Sequence, residues 1–129
     1  MQKSILLVED DEPVRRMVGR VLESAGYAVT QVGTSAEAAA GLSTADLVVW
    51  DLEMPSPAGT ETPGFQGQSE DAVPVVGITA WPNQTEQAAR RGISALMEKP
   101  LDLGLLLNTI DNLLRAQEQR GANRLASAI

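Results

Sequence analysis

Apolar residues fall along the chain in two alternating periods. "SILLV" (4–8) is a short continuous apolar run, the mark of a strand covered on both faces. "DEPVRRMVGRVLESAG" then spaces Val14, Met17, Val18, Val21, Leu22 and Ala25 at steps of three and four, with Pro13 in the opening turn and Gly26 at the stop. That pattern predicts an amphipathic helix. "YAVTQV" (27–32) reads as a weaker strand nearer an edge, and "TSAEAAAGL" as a short Ala-rich helix capped by Thr34 or Ser35. "DLVVW" (46–50), "VPVVGI" (73–78) and "SALM" (94–97) give three further strands, with a helix at "NQTEQAARRG" (83–92) ending on Gly92. The last helix, over 101–116, carries Leu103, Leu106, Leu107, Ile110, Leu113 and Leu114 on one stripe.

Strands alternating with helices predict the α/β class, a doubly wound five-stranded parallel sheet between helical layers. At 129 residues and 43% hydrophobic the chain suits one domain with a sizeable core. The tail at 119–129, "QEQRGANRLASAI" without its first two residues, is small and polar and is expected to fray after a domain at 1–118.

Charge and composition remove several function classes. A formal charge of −7 without clustered Lys and Arg argues against direct nucleic-acid binding. With no Cys and no His there are no disulfides, thiolate or imidazole ligands, or His bases. No apolar run approaches the roughly 20 residues of a membrane span, and "MQKSILLVEDD" turns acidic too early for a signal peptide, so a cytoplasmic location is expected.

In such sheets ligands bind beyond the carboxyl ends of the strands. After strand one come Glu9, Asp10 and Asp11; after strand three, Asp51; after strand four, Thr79; after strand five, Lys99. Singly, each reads as a turn residue, a helix cap or an ordinary surface lysine. Together they place carboxylates, a hydroxyl and an ammonium on one rim. Clustered carboxylates call for a cation, and all-oxygen donors suit Mg²⁺. A carboxylate can attack phosphorus to form an aspartyl phosphate, with a lysine and a hydroxyl on the phosphoryl oxygens.

"ILLVEDDEPVRRM", "VVWDLEMPSPAG", "VVGITA" and "LMEKP" closely resemble the receiver domain of two-component response regulators, in order and spacing, over residues 4 to about 115. The resemblance implies the CheY-like, flavodoxin-type sheet order 2-1-3-4-5. It implies that Asp51 accepts a phosphoryl group from a sensor histidine kinase or histidine phosphotransfer protein, and that phosphorylation changes partner binding. Glu9 and Asp10 would hold Mg²⁺ with Asp51 and the backbone carbonyl of Glu53, with Asp11 just outside the pair; Thr79 would be the switch hydroxyl and Lys99 the phosphoryl contact. The Lys99–Pro100 bond matches one that is cis in the family. The family's dimer or partner face, formed by helix four, strand five and helix five, implies a downstream target or a homodimer; slow self-dephosphorylation, not metabolic turnover, is the implied chemistry.

Three positions depart from the family pattern. Leu96 stands where an aromatic switch residue is common, leaving the Thr–aromatic pair incomplete. Trp81, two past Thr79, could slow hydrolysis of the acyl phosphate or serve as an exposed partner anchor. After Gly59, "TETPGFQGQSED" offers Pro63, Gly64 and Gly67 with Phe65 as its one large apolar residue, so the third helix is expected to be shortened, irregular or missing. Two rival functions remain at this level. One is a pseudo-receiver binding partners without phosphorylation; the other is an aspartate-nucleophile phosphohydrolase, which would prefer Asp where Glu53 stands.

Overall fold

The computed structural model describes residues 2–53, 73–81, 83 and 92–127. Five strands, β1 (Ser4–Val8), β2 (Ala28–Val32), β3 (Leu47–Asp51), β4 (Val75–Thr79) and β5 (Ala95–Glu98), form one sheet in the order β2-β1-β3-β4-β5. Every neighbouring pair is parallel. The continuous apolar runs predicted this, because a parallel sheet hides both faces. β2, with its alternating exposure, is the edge strand that its weaker pattern suggested.

Side-chain alternation divides the core into two layers. Ile5, Leu7, Leu47, Val49 and Val76 pack under α1 (Glu12–Ser24) and the C-terminal helix (Leu103–Ser127). Leu6, Val8, Val48, Trp50 and Val75 face the other way, toward Ala38 of α2 (Ser35–Gly41). Asp11 caps α1 by accepting from the Val14 N–H at 3.2 Å. Gly26 ends the helix at φ 100°, a left-handed conformation that costs glycine little. Thr34, one of the two candidates, caps α2 by accepting from the Glu37 N–H at 3.1 Å.

Two expectations need correction. The apolar stripe of α1 splits: Val18 and Leu22 enter the core, whereas Val14 and Met17 stay exposed, Met17 at 49%. Their turn lies beyond the layer that the C-terminal helix covers and borders the strand ends instead. The C-terminal helix also continues through Ser127 where a frayed tail was expected. Ala, Gln, Glu and Arg are good helix formers, the Gln119–Asn123 pair spans one turn at 3.2 Å, and Lys3 holds Glu118 at 3.1 Å. The helix expected over 83–92, apart from its end residues, and the stretch after Gly59 lie outside the described residues. Among the described residues no helix is long and apolar enough to cross a membrane.

Leu106 and Ile110 are fully buried where the C-terminal helix meets the sheet. Leu106→Ala is expected to lower the free energy of unfolding by about 2–5 kcal/mol, read from urea melts, through lost burial and the cavity left behind.

Candidate functional site

Parallel strands in register end together. Val8 lies opposite Trp50, Asp51 opposite Ile78 and Thr79 opposite Glu98, so the residues leaving these strands emerge on one rim. Backbone bonds carry the ladder past the strand ends: Glu9 N–H to the Val32 carbonyl at 3.1 Å, Leu52 N–H to Ile78 and Lys99 N–H to Thr79, both at 2.8 Å. Alternation turns Glu9 and Asp51 to the face that α1 and the C-terminal helix cover. They border a cavity of about 640 Å³ with Asp10, Glu53 and Lys99, and its apolar wall includes Val14, Met17 and Leu101.

Glu9 and Asp51 are nearly sealed from solvent, at 5% and 3% exposure, while Asp10 is exposed. Ligand oxygens of Glu9, Asp10 and Asp51 all lie within 4.8 Å of one another. Three carboxylates at that separation, two of them buried, repel unless a positive charge joins them. Their hard oxygens fit a divalent cation such as Mg²⁺.

The chain supplies one cation itself. Lys99 Nζ lies 3.3 Å from Asp51 Oδ2 and 3.2 Å from Glu53 Oε2. Asp51 Oδ1 accepts the Glu53 N–H at 3.0 Å. Glu9 is fixed at both ends, its Oε1 accepting the Asp11 N–H at 3.1 Å and its carbonyl accepting from Arg15 Nη1 at 2.9 Å. Thr79, 2% exposed, donates its hydroxyl to Glu53 Oε1 at 3.0 Å and accepts the Trp81 N–H at 3.1 Å. The Ala80 N–H also donates to Glu53 Oε1.

The two buried acids titrate apart. Burial first, then the hydrogen bond and charge of Asp51, push Glu9 up from the usual 4.5 to about 8. Burial acts on Asp51 in the same direction, but the Glu9 hydrogen bond, the Glu53 N–H and Lys99 outweigh it and hold its carboxyl below the ordinary range. Burial likewise opposes the charge on Lys99, and Glu53 with Asp51 overrides it to raise the ammonium's pKa. Asp51 is thus the ionised member of the pair.

The shift at Glu9 has a sign that can be checked. Between pH 4.5 and about 8 the folded chain keeps a proton that the unfolded chain has released. Its contribution to stability is complete below the unfolded value and drains away as pH rises through the folded one. In chelator-treated buffer, stability is expected to fall from about pH 5 to about pH 9, and Glu9→Gln to recover about 2 kcal/mol or more at the upper end. Urea melts of both proteins at both pH values make the measurement.

The remaining candidates divide. Trp81 is 65% exposed, and its backbone N–H donates to the Thr79 hydroxyl. Leu96, partly buried, sits opposite Gly77 and packs against the layer on the α2 side. Pro100 lines the cavity and the Lys99–Pro100 peptide is cis. Asp11 stays with its helix as a cap. Two features escaped the sequence reading: the contacts of the Glu53 side chain with Thr79 and Lys99, and the Arg15 grip on Glu9. A carboxylate two residues beyond a strand end is a signal for the first, since its reach spans to the next strand.

Comparison with known proteins agrees with this geometry. The response regulator receiver domain matches residues 5–111. The polar-differentiation response regulator DivK of Brucella ovis is 28% identical over 120 residues, covering 88% of this chain and 98% of DivK. The CAI-1 autoinducer sensor kinase/phosphatase CqsS of Vibrio cholerae is 29% identical over 116 residues, 84% of this chain but only 17% of that protein. Among solved structures, a response regulator receiver protein from Burkholderia phymatum superposes with a TM-score of 0.73 at 30% identity, covering 88% of this chain and 95% of its own. A CheY-like receiver domain from Methanospirillum hungatei gives 0.77 at 25% identity, over 93% and 99%. Sequence match, sheet order and rim geometry converge on one conclusion: the chain belongs to the response regulator receiver domain family of two-component signalling.

Proposed function

We propose that this chain is a phosphoryl-accepting switch in which Asp51 takes its phosphoryl group from a phosphohistidine on a sensor histidine kinase or phosphotransfer protein. The observation that carries the reading is the buried, ionised Asp51 with Lys99 Nζ at 3.3 Å and two further carboxylates beside it. An Asp51 carboxylate oxygen forms the bond to phosphorus as the donor's P–N bond breaks, the electron pair leaving with the imidazole nitrogen. Lys99 then meets the charge on the phosphoryl oxygens, and the Thr79 hydroxyl turns to donate to one of them. Glu9, Asp10, Asp51 and the backbone carbonyl of Glu53 would hold Mg²⁺, which supplies further charge neutralisation at the transferred group.

The product is an acyl phosphate that reverses slowly by hydrolysis, so the domain acts as a timer and not as a turnover enzyme. The names of its relatives, a response regulator and a sensor kinase/phosphatase, support a signalling role for the domain, for which we propose a cytoplasmic location. The downstream face is the family's helix four, strand five and helix five, engaged by a target protein or a second copy. Trp81, exposed beside Thr79, stands where it can meet such a partner or screen the acyl phosphate from water. Incubation with acetyl phosphate and Mg²⁺ tests the function: one hydroxylamine-labile phosphoryl group per chain is expected, and continuous hydrolysis of unrelated phosphate esters would point to the phosphohydrolase instead.

A further inference from the structure

The Glu53 carboxylate gathers two hydrogen-bond donors and one ion-pair partner from the ends of two other strands. Oε1 accepts from the Thr79 hydroxyl and the Ala80 N–H, and Oε2, buried, faces the Lys99 ammonium at 3.2 Å. A hydroxyl, a backbone N–H and an ammonium converging on one anionic group form an oxyanion cradle. Thr79 and Lys99 are also the groups on which a phosphoryl group at Asp51 would draw, and the Asp51 carboxylate shares the same lysine at 3.3 Å. Lys99 reaches both anions, but the single Thr79 hydroxyl proton can serve only one acceptor at a time.

We infer that Glu53 is an internal stand-in for the phosphoryl group, occupying its donor set in the resting protein and leaving it when Asp51 is phosphorylated. This rests on the reading of Asp51 as phosphoacceptor. Two physical effects oppose the incoming group while Glu53 is seated. The Thr79 proton and one direction of the Lys99 ammonium are already committed, and a second carboxylate repels the phosphoryl oxygens at short range. The covalent step is unchanged; what Glu53 sets is how readily the donors become free for it. Its seat also orients Thr79, whose hydroxyl donates to Glu53 while accepting the Trp81 N–H, so release of Glu53 frees the switch hydroxyl to turn. Glu53 is therefore a positioning residue with a carboxylate-specific role, distinct from any part played by its backbone.

Glu53→Ala empties the cradle, and Glu53→Gln keeps the shape while removing the charge. With labelled acetyl phosphate and Mg²⁺, the initial rate of Asp51-dependent labelling is expected to rise about tenfold in the Ala variant, the worth of one charge-assisted hydrogen bond. The Gln variant should fall between it and the parent chain. Independently of phosphorylation, exchange of the Ala80 amide hydrogen, followed by NMR, should speed up in the Ala variant. Labelling of both variants at or below the parent rate, or unchanged Ala80 exchange, would overturn the inference. If Ala80 exchange accelerates while neither parent nor variants take label, the contact is real but the phosphoacceptor reading has failed, and the inferred role with it. The Gln variant serves alone if Glu53→Ala does not fold.

Discussion

Asp51→Asn is expected to take up no phosphoryl group from acetyl phosphate or a phosphorylated histidine kinase, under conditions where the parent chain labels fully. An amide has the shape of the carboxylate without its charge, and its oxygen is far too weak a nucleophile toward phosphorus. The fold should survive, because the amide keeps the carboxylate's shape and removes a buried negative charge that has Asp10 for a neighbour. The Lys99 ammonium keeps Glu53 Oε2 as its partner at 3.2 Å. Labelling of the Asn variant at another carboxylate, Asp10 for example, would show that the rim and not the residue accepts the group. A urea melt on the same protein separates loss of chemistry from loss of structure.

Lys99→Ala is expected to slow phosphoryl uptake by about a hundredfold, the scale seen when one preorganised charge donor is removed from a developing oxyanion. The lysine joins Asp51 and Glu53 and is the one cation within ion-pair distance of either among the described residues. Without it, Asp51 keeps the Glu53 N–H and the Glu9 hydrogen bond but loses the attraction of the ammonium while Asp10 stays beside it, which raises its pKa and weakens the nucleophile. Lys99→Arg should recover part of the rate, since charge survives while the planar fork does not reproduce a point donor. Single-turnover labelling at saturating donor reads the effect on the chemical step. Equal rates for Lys99→Ala and the parent chain would remove the lysine from the transfer.

The strands were legible because their apolar runs are unbroken, and each observed bound lies within about two residues of the expected one, the usual uncertainty of element ends. The rim followed from them: once parallel strands end together, the residues that leave them must be neighbours. Other features depended on tertiary contacts that periodicity does not carry. Val14 and Met17 share the spacing of Val18 and Leu22, yet among the described residues they stay exposed at the end of α1 that borders the strand ends. The last helix outran its apolar stripe because local helix propensity and side-chain pairs continue after the stripe ends. The side-chain contacts of Glu53, which the resemblance cast as a metal ligand through its carbonyl, were not legible because its partners, Thr79 and Lys99, are 26 and 46 residues away by numbering and meet it only once β3, β4 and β5 align. Its spacing in the sequence fits a turn equally well. The family resemblance implied a role for Asp51, whereas the geometry contributed the physical reason for its ionised state: against burial, the Glu9 hydrogen bond, the Glu53 N–H and the Lys99 ammonium hold its pKa down beside a raised one at Glu9.

The most direct test is chemical trapping of the phosphorylated residue. Borohydride reduction of an aspartyl phosphate converts that side chain to homoserine, and peptide mass spectrometry locates it. After incubation with acetyl phosphate and Mg²⁺, homoserine is expected at position 51 alone and nowhere in the Asp51→Asn protein. Homoserine at another acid, or none in a chain that has demonstrably folded, would contradict the assignment of Asp51 as the phosphoryl acceptor.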